Sequence, residues 1–183
     1  GKIIETKGAF SLIKAFCSIA SKYPNINLIM IGGGKIRAAQ SFIDDQYRER
    51  IKFTGYLSRE EIKQKISTAL FCAIPSYFEN FSLAAMEVMA CGKALIYTNR
   101  ASGPELINDK VNGLLVDPEN VCQIASAIEF LLNNLEQCQQ MGLEAQKTIL
   151  HTFSENVVME QIENYYKSCI NSHRKNDTSS NNK

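Results

Sequence analysis

The chain has 183 residues, of which 45% are hydrophobic and 21% are charged, and its formal net charge is +1. This composition is ordinary for a globular protein with one core. The near-zero charge argues against a broad nucleic-acid surface, and no apolar stretch approaches the ~20 residues of a membrane helix. The opening GKIIETKGAF lacks the apolar region of a signal peptide. The six cysteines form no C-x-x-C pair, which favours reduced thiols in a cytoplasmic protein without a cysteine metal site.

Helical patterns and short apolar runs alternate along the chain. The first helix is predicted over residues 9–23, where apolar residues recur at helical spacing. Apolar runs with the near-continuous hydrophobicity of buried parallel strands follow at residues 26–32, 51–56, 70–76, 93–98 and 113–117. Further helices are predicted at residues 58–69, 82–92, 121–135 and 153–170. Ser58 with Glu61 forms a capping-box pattern, and Ser82 and Gly92 are the N-cap and C′ residues expected for the helix between them.

The repeated order of strand, loop and helix predicts an α/β fold with a doubly wound, Rossmann-like parallel sheet. We expect this domain to span residues 1–170 and the polar residues 171–183 to be a disordered tail. In such sheets ligands bind at the carboxyl ends of the strands. The loops after the strands are therefore the candidate site.

Two glutamates bracket the helix predicted at residues 82–92. Glu87 lies among apolar residues in a helix that we predict to be buried, and a buried carboxylate needs a partner. That partner is either an internal cation or the hydroxyls of a ligand, unless Glu87 lies on a narrow exposed strip. Glu79 lies just before the helix, where the helix dipole stabilises its negative charge. The backbone N–H groups of the NFSL segment after it should be free to bind an anion.

Other residues suggest chemistry less specifically. Lys2 and Lys7 precede a helix and could clamp a phosphate, although solvated lysines are the simpler interpretation. The GGGK segment at residues 32–35 matches neither a P-loop nor a dinucleotide fingerprint. A glycosidase would need two carboxylates that flank one bond, and the spacing of Glu79 and Glu87 suits the two ends of an elongated ligand better.

These residues together resemble a known enzyme family. The segment PSYFENFSLAAMEVMACGKALIYTN is similar to the signature of the retaining family 4 glycosyltransferases, which have the two-domain GT-B fold, and Glu79 and Glu87 match their Glu-x7-Glu motif. The segments GKIIETKGAFSLIKAF, LIMIGGG, IKFTGYLSREEI and ASGPELINDKVNGLLVDP follow in the family's order. The resemblance covers nearly the whole chain, and it implies sugar transfer from a nucleoside diphosphate sugar.

The resemblance also implies roles for individual residues. Lys7 matches the lysine that binds the donor diphosphate, and Lys2 stands where the family usually has arginine. Glu79 matches the carboxylate near the donor sugar, so that Lys7, Lys2 and Glu79 form the implied catalytic set. Glu87 matches the carboxylate that holds the ribose hydroxyls. The remaining implied donor-binding residues, in the turn before the helix and in the loop beside the base, are Asn80, Phe81, Ser82, Leu83, Tyr56 and Leu57.

Such enzymes have an N-terminal domain that binds the acceptor, and we expect that domain to be missing from this chain. The expected ligand is a nucleoside diphosphate sugar, with UDP favoured, and neither a cofactor nor a metal is implied. The expected acceptor is a sugar, lipid-linked or protein acceptor, reached through the missing domain, with polysaccharide or glycoconjugate synthesis as the setting. We expect the protein in the cytoplasm, with peripheral contact at the inner face of the membrane as an alternative for the intact enzyme. The alternative function is a non-catalytic nucleotide-sugar-binding subunit or sensor.

Overall fold

The computed structural model describes residues 1–180, and it divides the chain into two units, Gly1–Lys147 and Thr148–Lys183. The strands are β1 Leu28–Met30, β2 Ile51–Phe53, β3 Cys72–Ile74, β4 Leu95–Thr98 and β5 Leu114–Val116. The helices are α1 Ala9–Ile19, α2 Ile36–Gln40, α3 Arg59–Thr68, α4 Leu83–Ala90, α5 Gly103–Leu106, α6 Val121–Asn133, α7 Leu135–Thr152 and α8 Glu155–Ser180. Two 3-10 helices, Glu5–Lys7 and Asp45–Arg50, precede α1 and β2.

All the strand pairings between these elements are parallel, which confirms the predicted α/β class. β1 pairs with β2, and β4 lies between β3 and β5. The paired strands form a two-stranded and a three-stranded sheet, where the sequence predicted one sheet. Each predicted strand is present but shorter, because the flanking residues of each apolar run lie in loops.

The core of the first unit lies between the sheets and their helices. Helix α1 packs against α6, and the buried stripe of α1 faces this core as its spacing predicts. The most deeply buried members of the core cluster are Ile13, Ala15, Ala39, Ile96, Ile124 and Leu131. All four residues of β4 are buried, so this strand is central.

One arginine fixes the segment after α1. Arg50 donates to the carbonyl oxygens of Ala20 and Tyr23, and twice to that of Ile26. Its guanidinium also lies 5.4 Å from the centroid of the Phe16 ring. These hydrogen bonds satisfy carbonyl oxygens that lie beyond the end of α1 and outside the strand pairings.

Helix α7 has no counterpart among the predicted elements. Its buried residues, Cys138, Met141, Gly142 and Ala145, follow helical spacing, but the last two have little or no side chain. Helix α7 packs closely against the chain after α4 at Gly142. A Cβ at this position would lie 2.2 Å from the Gly92 carbonyl oxygen. The weak apolar signal of α7 therefore reflects close backbone packing.

The second unit contains the end of α7 and the helix α8. The prediction of a final helix is correct in kind, but the helix continues through residues 171–180, where the sequence predicted disorder. Extending an existing helix costs less than starting one, which lets polar residues continue it. Residues 181–183 of the predicted tail lie outside the described residues. Within residues 1–180, no helix has both the length and the hydropathy needed to cross a bilayer.

Candidate functional site

Two loops meet at the carboxyl end of β3. The Thr6 carbonyl oxygen accepts a hydrogen bond of 3.0 Å from the Tyr77 backbone N–H. Gly8 has a φ of 68°, and a Cβ there would lie 1.8 Å from the Pro75 carbonyl oxygen. Only glycine suits that position. The turn that carries Lys7 is thus fixed against the loop that carries Glu79.

Lys7 and Glu79 form the closest polar contact of the site. Lys7 Nζ lies 2.6 Å from Glu79 Oε2, and the side chains are 38% and 13% exposed. The structure therefore brings together two of the three residues that the resemblance implies as catalytic. Their opposite charges neutralise one another.

Helix α4 starts directly after this pair. The Ser82 hydroxyl accepts from the Ala85 backbone N–H at 3.3 Å, which confirms Ser82 as the N-cap. The first-turn N–H groups of such a helix are suited to an anion. Asn80 and Phe81, just before the cap, are exposed, and so is Leu83, the first residue of α4, at 71%.

Glu87 is exposed, so the prediction that it lies in a buried helix is wrong. Three exposed residues of α4, Leu83, Glu87 and Ala90, are spaced four and three apart and form one strip of the helix. The other faces bury Ala85, Val88 and Met89. The strip is not evident from the sequence, because it takes only one position per helical turn and the residues around Glu87 are apolar. Glu87 therefore faces solvent one turn along α4 from Leu83.

The loop with Tyr56 and Leu57 lies beside the glycine-rich segment. Tyr56 is 83% exposed, and its ring packs against Gly33, where an added Cβ would lie 2.6 Å from a ring carbon. Leu57 is half-buried. The Gly33 carbonyl oxygen accepts from the Ile3 backbone N–H at 2.8 Å, which places exposed Lys2 next to this segment. Among the described contacts, none joins Lys2 or Tyr56 to the Lys7–Glu79 pair.

Two residues that the sequence did not predict support the loop of Glu79. Tyr77 shares a 3.1 Å hydrogen bond with the Ser11 hydroxyl, and the Arg100 guanidinium lies 5.5 Å from its ring centroid. Arg100 also pairs with Asp117 at 2.8 Å and Glu119 at 3.1 Å. Arg100 thus links the end of β4 to the end of β3 through Tyr77.

Buried hydroxyl groups lie beneath the same loops. The side-chain oxygens of Ser76, Tyr97 and Ser102 are buried. Burial raises the pKa of the Tyr97 hydroxyl, hydrogen bonding with the Ser102 and Ser82 hydroxyls opposes that rise, and the Glu79 carboxylate adds to it. The sequence gives one sign of this buried hydroxyl, which is a tyrosine next to the apolar residues of β4.

Over residues 1–180, no group of three or more His, Cys, Asp or Glu side chains is arranged to hold a metal ion. The polar groups described at the site are the Lys7 ammonium, the Glu79 and Glu87 carboxylates, the Ser82 hydroxyl and the amides at the start of α4.

These features are those of a parallel α/β domain, and comparison with known proteins identifies the family. The profile of the glycosyl transferases group 1 family matches residues 1–148. The chain belongs to this family. An uncharacterized glycosyltransferase of Methanocaldococcus jannaschii is 26% identical over 172 residues, which are 91% of this chain and 43% of that protein. The chain thus spans less than half the length of this curated relative.

Solved structures agree on the fold. HepE of Anabaena, in complex with UDP, superposes with a TM-score of 0.83 at 23% identity, over 92% of this chain and 47% of that one. The C-terminal domain of a glycosyl transferase group 1 protein (LpcC) of Francisella tularensis superposes with a TM-score of 0.76 at 26% identity. That match covers 85% of this chain and 84% of that domain. The fold is therefore that of one domain of a GT-B glycosyltransferase.

Proposed function

We propose that this chain is the donor-binding domain of a retaining family 4 glycosyltransferase of the hexosyltransferase type. It binds a nucleoside diphosphate sugar, and the intact protein transfers the sugar to an acceptor hydroxyl in polysaccharide or glycoconjugate synthesis. The observation that carries the proposal is the pairing of Lys7 and Glu79 at the start of α4, with Glu87 on the exposed strip of the same helix.

Each group has a role in this proposal. Lys7 and the backbone amides of residues 80–83 stabilise the diphosphate, whose negative charge grows as it leaves the sugar. Lys2 adds a second positive charge from the neighbouring loop. Glu79 accepts hydrogen bonds from the donor sugar, and Glu87 from the ribose hydroxyls.

The base is assigned to the loop of Tyr56 and Leu57. An exposed tyrosine ring offers a flat apolar surface to a base. UDP is the favoured nucleotide, and the likeness in fold to HepE of Anabaena, which was solved with UDP, supports this choice. No step of the proposed reaction requires a metal ion.

The acceptor site is proposed to lie in the part of the relatives that this chain does not match, since the chain covers 43% of the Methanocaldococcus relative. The 183-residue chain alone is then expected to bind donor and to transfer sugar slowly or not at all. We place the reaction in the cytoplasm, with the inner face of the membrane as the site for a lipid-linked acceptor.

Replacement of Glu87 tests the ribose assignment. Glu87→Ala should lower the affinity for UDP about ten-fold, because hydrogen bonds to a charged group contribute ~1.5–3 kcal/mol. Its affinity for inorganic pyrophosphate should be unchanged, since pyrophosphate has no ribose. Isothermal titration calorimetry measures both affinities.

The matched control is Glu49→Ala, which removes an exposed carboxylate from the 3-10 helix before β2. This variant should bind UDP as the wild type does. If Glu87→Ala binds UDP with wild-type affinity, the ribose assignment is wrong.

A further inference from the structure

Tyr77 contacts the chain on both sides of Lys7. Its backbone N–H donates to the Thr6 carbonyl oxygen at 3.0 Å, and its hydroxyl shares a 3.1 Å hydrogen bond with the Ser11 hydroxyl in the first turn of α1. Thr6 immediately precedes Lys7, and Ser11 follows it by four residues. The two hydrogen bonds therefore fix both ends of the short segment that carries Lys7.

Tyr77 also belongs to the loop that carries the other member of the ion pair. Glu79 follows it by two residues, and the Glu79 carboxylate lies 2.6 Å from the Lys7 ammonium. A partly exposed lysine loses side-chain entropy when it holds one geometry. Whether the contact forms therefore depends on how closely the two backbone segments are held, and Tyr77 is the residue whose hydrogen bonds join them.

Arg100 in turn holds Tyr77. Its guanidinium lies 5.5 Å from the centroid of the Tyr77 ring, within the ~6 Å range of a cation–π contact. The same guanidinium pairs with Asp117 at 2.8 Å and with Glu119 at 3.1 Å, which ties it to the chain just after β5. A continuous series of contacts thus runs from these two carboxylates through Arg100 and Tyr77 to the segment of Lys7.

We propose that Tyr77 is a positioning residue that fixes the Lys7 turn against the Glu79 loop, and that Arg100 holds Tyr77 in this role. The contacts themselves involve no ligand. Only their consequence for sugar transfer, that the ammonium and the carboxylate meet a donor in a set geometry, rests on the proposed function. A change at Ser11, Tyr77 or Arg100 is therefore expected to loosen the ion pair without altering either of its two side chains.

Hydrogen exchange of the Tyr77 amide, measured without added nucleotide, tests this role. The amide is protected by its bond to Thr6, so its protection factor reports how often the two loops separate. Tyr77→Phe and Ser11→Ala each remove the hydroxyl bond and should lower this protection factor about two- to ten-fold, the effect of one neutral hydrogen bond. The matched control is Tyr23→Phe, which removes a hydroxyl that donates to Asn133 Oδ1, also at 3.1 Å, and should leave the Tyr77 amide unchanged.

Replacement of Arg100 tests the outer part of the network. Arg100→Gln removes the cation from the Tyr77 ring and should lower the protection factor of the Tyr77 amide about two- to five-fold. The control is Arg48→Gln, which breaks an exposed ion pair with Asp45 and should leave that amide unchanged. Wild-type protection in Arg100→Gln would overturn the role given to Arg100.

A double-mutant cycle separates positioning of the ion pair from general support of the fold. Glu79→Gln removes the carboxylate that pairs with Lys7, and Ser11→Ala is made with and without this change. If Tyr77 positions the pair, the combined effect on its protection factor should differ from the product of the single effects by at least about two-fold. A simple product would overturn the inference, and so would wild-type protection in Ser11→Ala or an equal loss in Tyr23→Phe. Because no nucleotide takes part, a chain that binds no UDP would contradict the proposed function and not this result.

Discussion

Glu79 neutralises Lys7 and, under the proposed function, also competes with the donor for it. Lys7 Nζ and Glu79 Oε2 lie 2.6 Å apart, and the proposal assigns the Lys7 ammonium to the diphosphate. The diphosphate must then compete with Glu79 for Lys7. This makes Glu79 a group that can oppose nucleotide binding even though it is assigned to the sugar.

Glu79→Gln should consequently strengthen the binding of UDP. The gain should reach up to about five-fold, because partly exposed ion pairs are worth ~0.2–1 kcal/mol. UDP is the proper ligand for this calorimetric titration, since it lacks the sugar that Glu79 would contact. Glu129→Gln, which breaks the Lys22 pair of 2.9 Å, is the control and should leave the affinity unchanged. A weaker binding of UDP by Glu79→Gln would mean that Glu79 holds Lys7 in its binding position.

Single residues could be predicted from the sequence where a motif fixes their spacing. Lys7, Glu79 and Glu87 were predicted in this way, and the structure brings the first two into contact. The exposure of Glu87 could not be predicted, because one polar residue per turn in an apolar helix fits a buried and an exposed strip equally well. Tyr77 and Arg100 were missed because their contact joins the ends of β3 and β4 only in the folded chain.

At the scale of elements, α7 shows how a helix can escape prediction. Its buried face includes Gly142, at the point where the backbone of residue 92 approaches. A helix that packs through small residues leaves little hydrophobic pattern to read. The strands and α1, α4 and α6 were predictable because their apolar side chains do the packing.

Gly142→Ala should destabilise the domain, although alanine favours helix. Alanine would gain roughly 0.5–1 kcal/mol in helix propensity. Its Cβ would meet the Gly92 carbonyl oxygen at 2.2 Å, and overpacking against backbone costs about 1–3 kcal/mol. Denaturant unfolding measures the difference. Leu143→Ala, at a neighbouring residue that is 51% exposed, should change stability by less than about 0.5 kcal/mol, and a stabilised Gly142→Ala would contradict the packing described for α7.

At the scale of the whole molecule, the chain covers 43% of the length of the Methanocaldococcus relative. Residues 1–148 match the family profile, and the site at the start of α4 lies within them. The α/β class could be predicted from the alternation of elements alone. The assignment to sugar transfer needed the motif, because similar parallel sheets serve many chemistries.

The central claim is that this site binds a nucleoside diphosphate through Lys7. Its most direct test is a calorimetric titration of UDP into the 183-residue chain and into its Lys7→Ala variant. Lys52→Ala, at an exposed lysine of β2, serves as the control. We predict that the wild type and Lys52→Ala bind UDP equally and that Lys7→Ala binds at least about ten-fold more weakly. A wild type that binds none of UDP, GDP and ADP, or a Lys7→Ala variant with wild-type affinity, would contradict the claim.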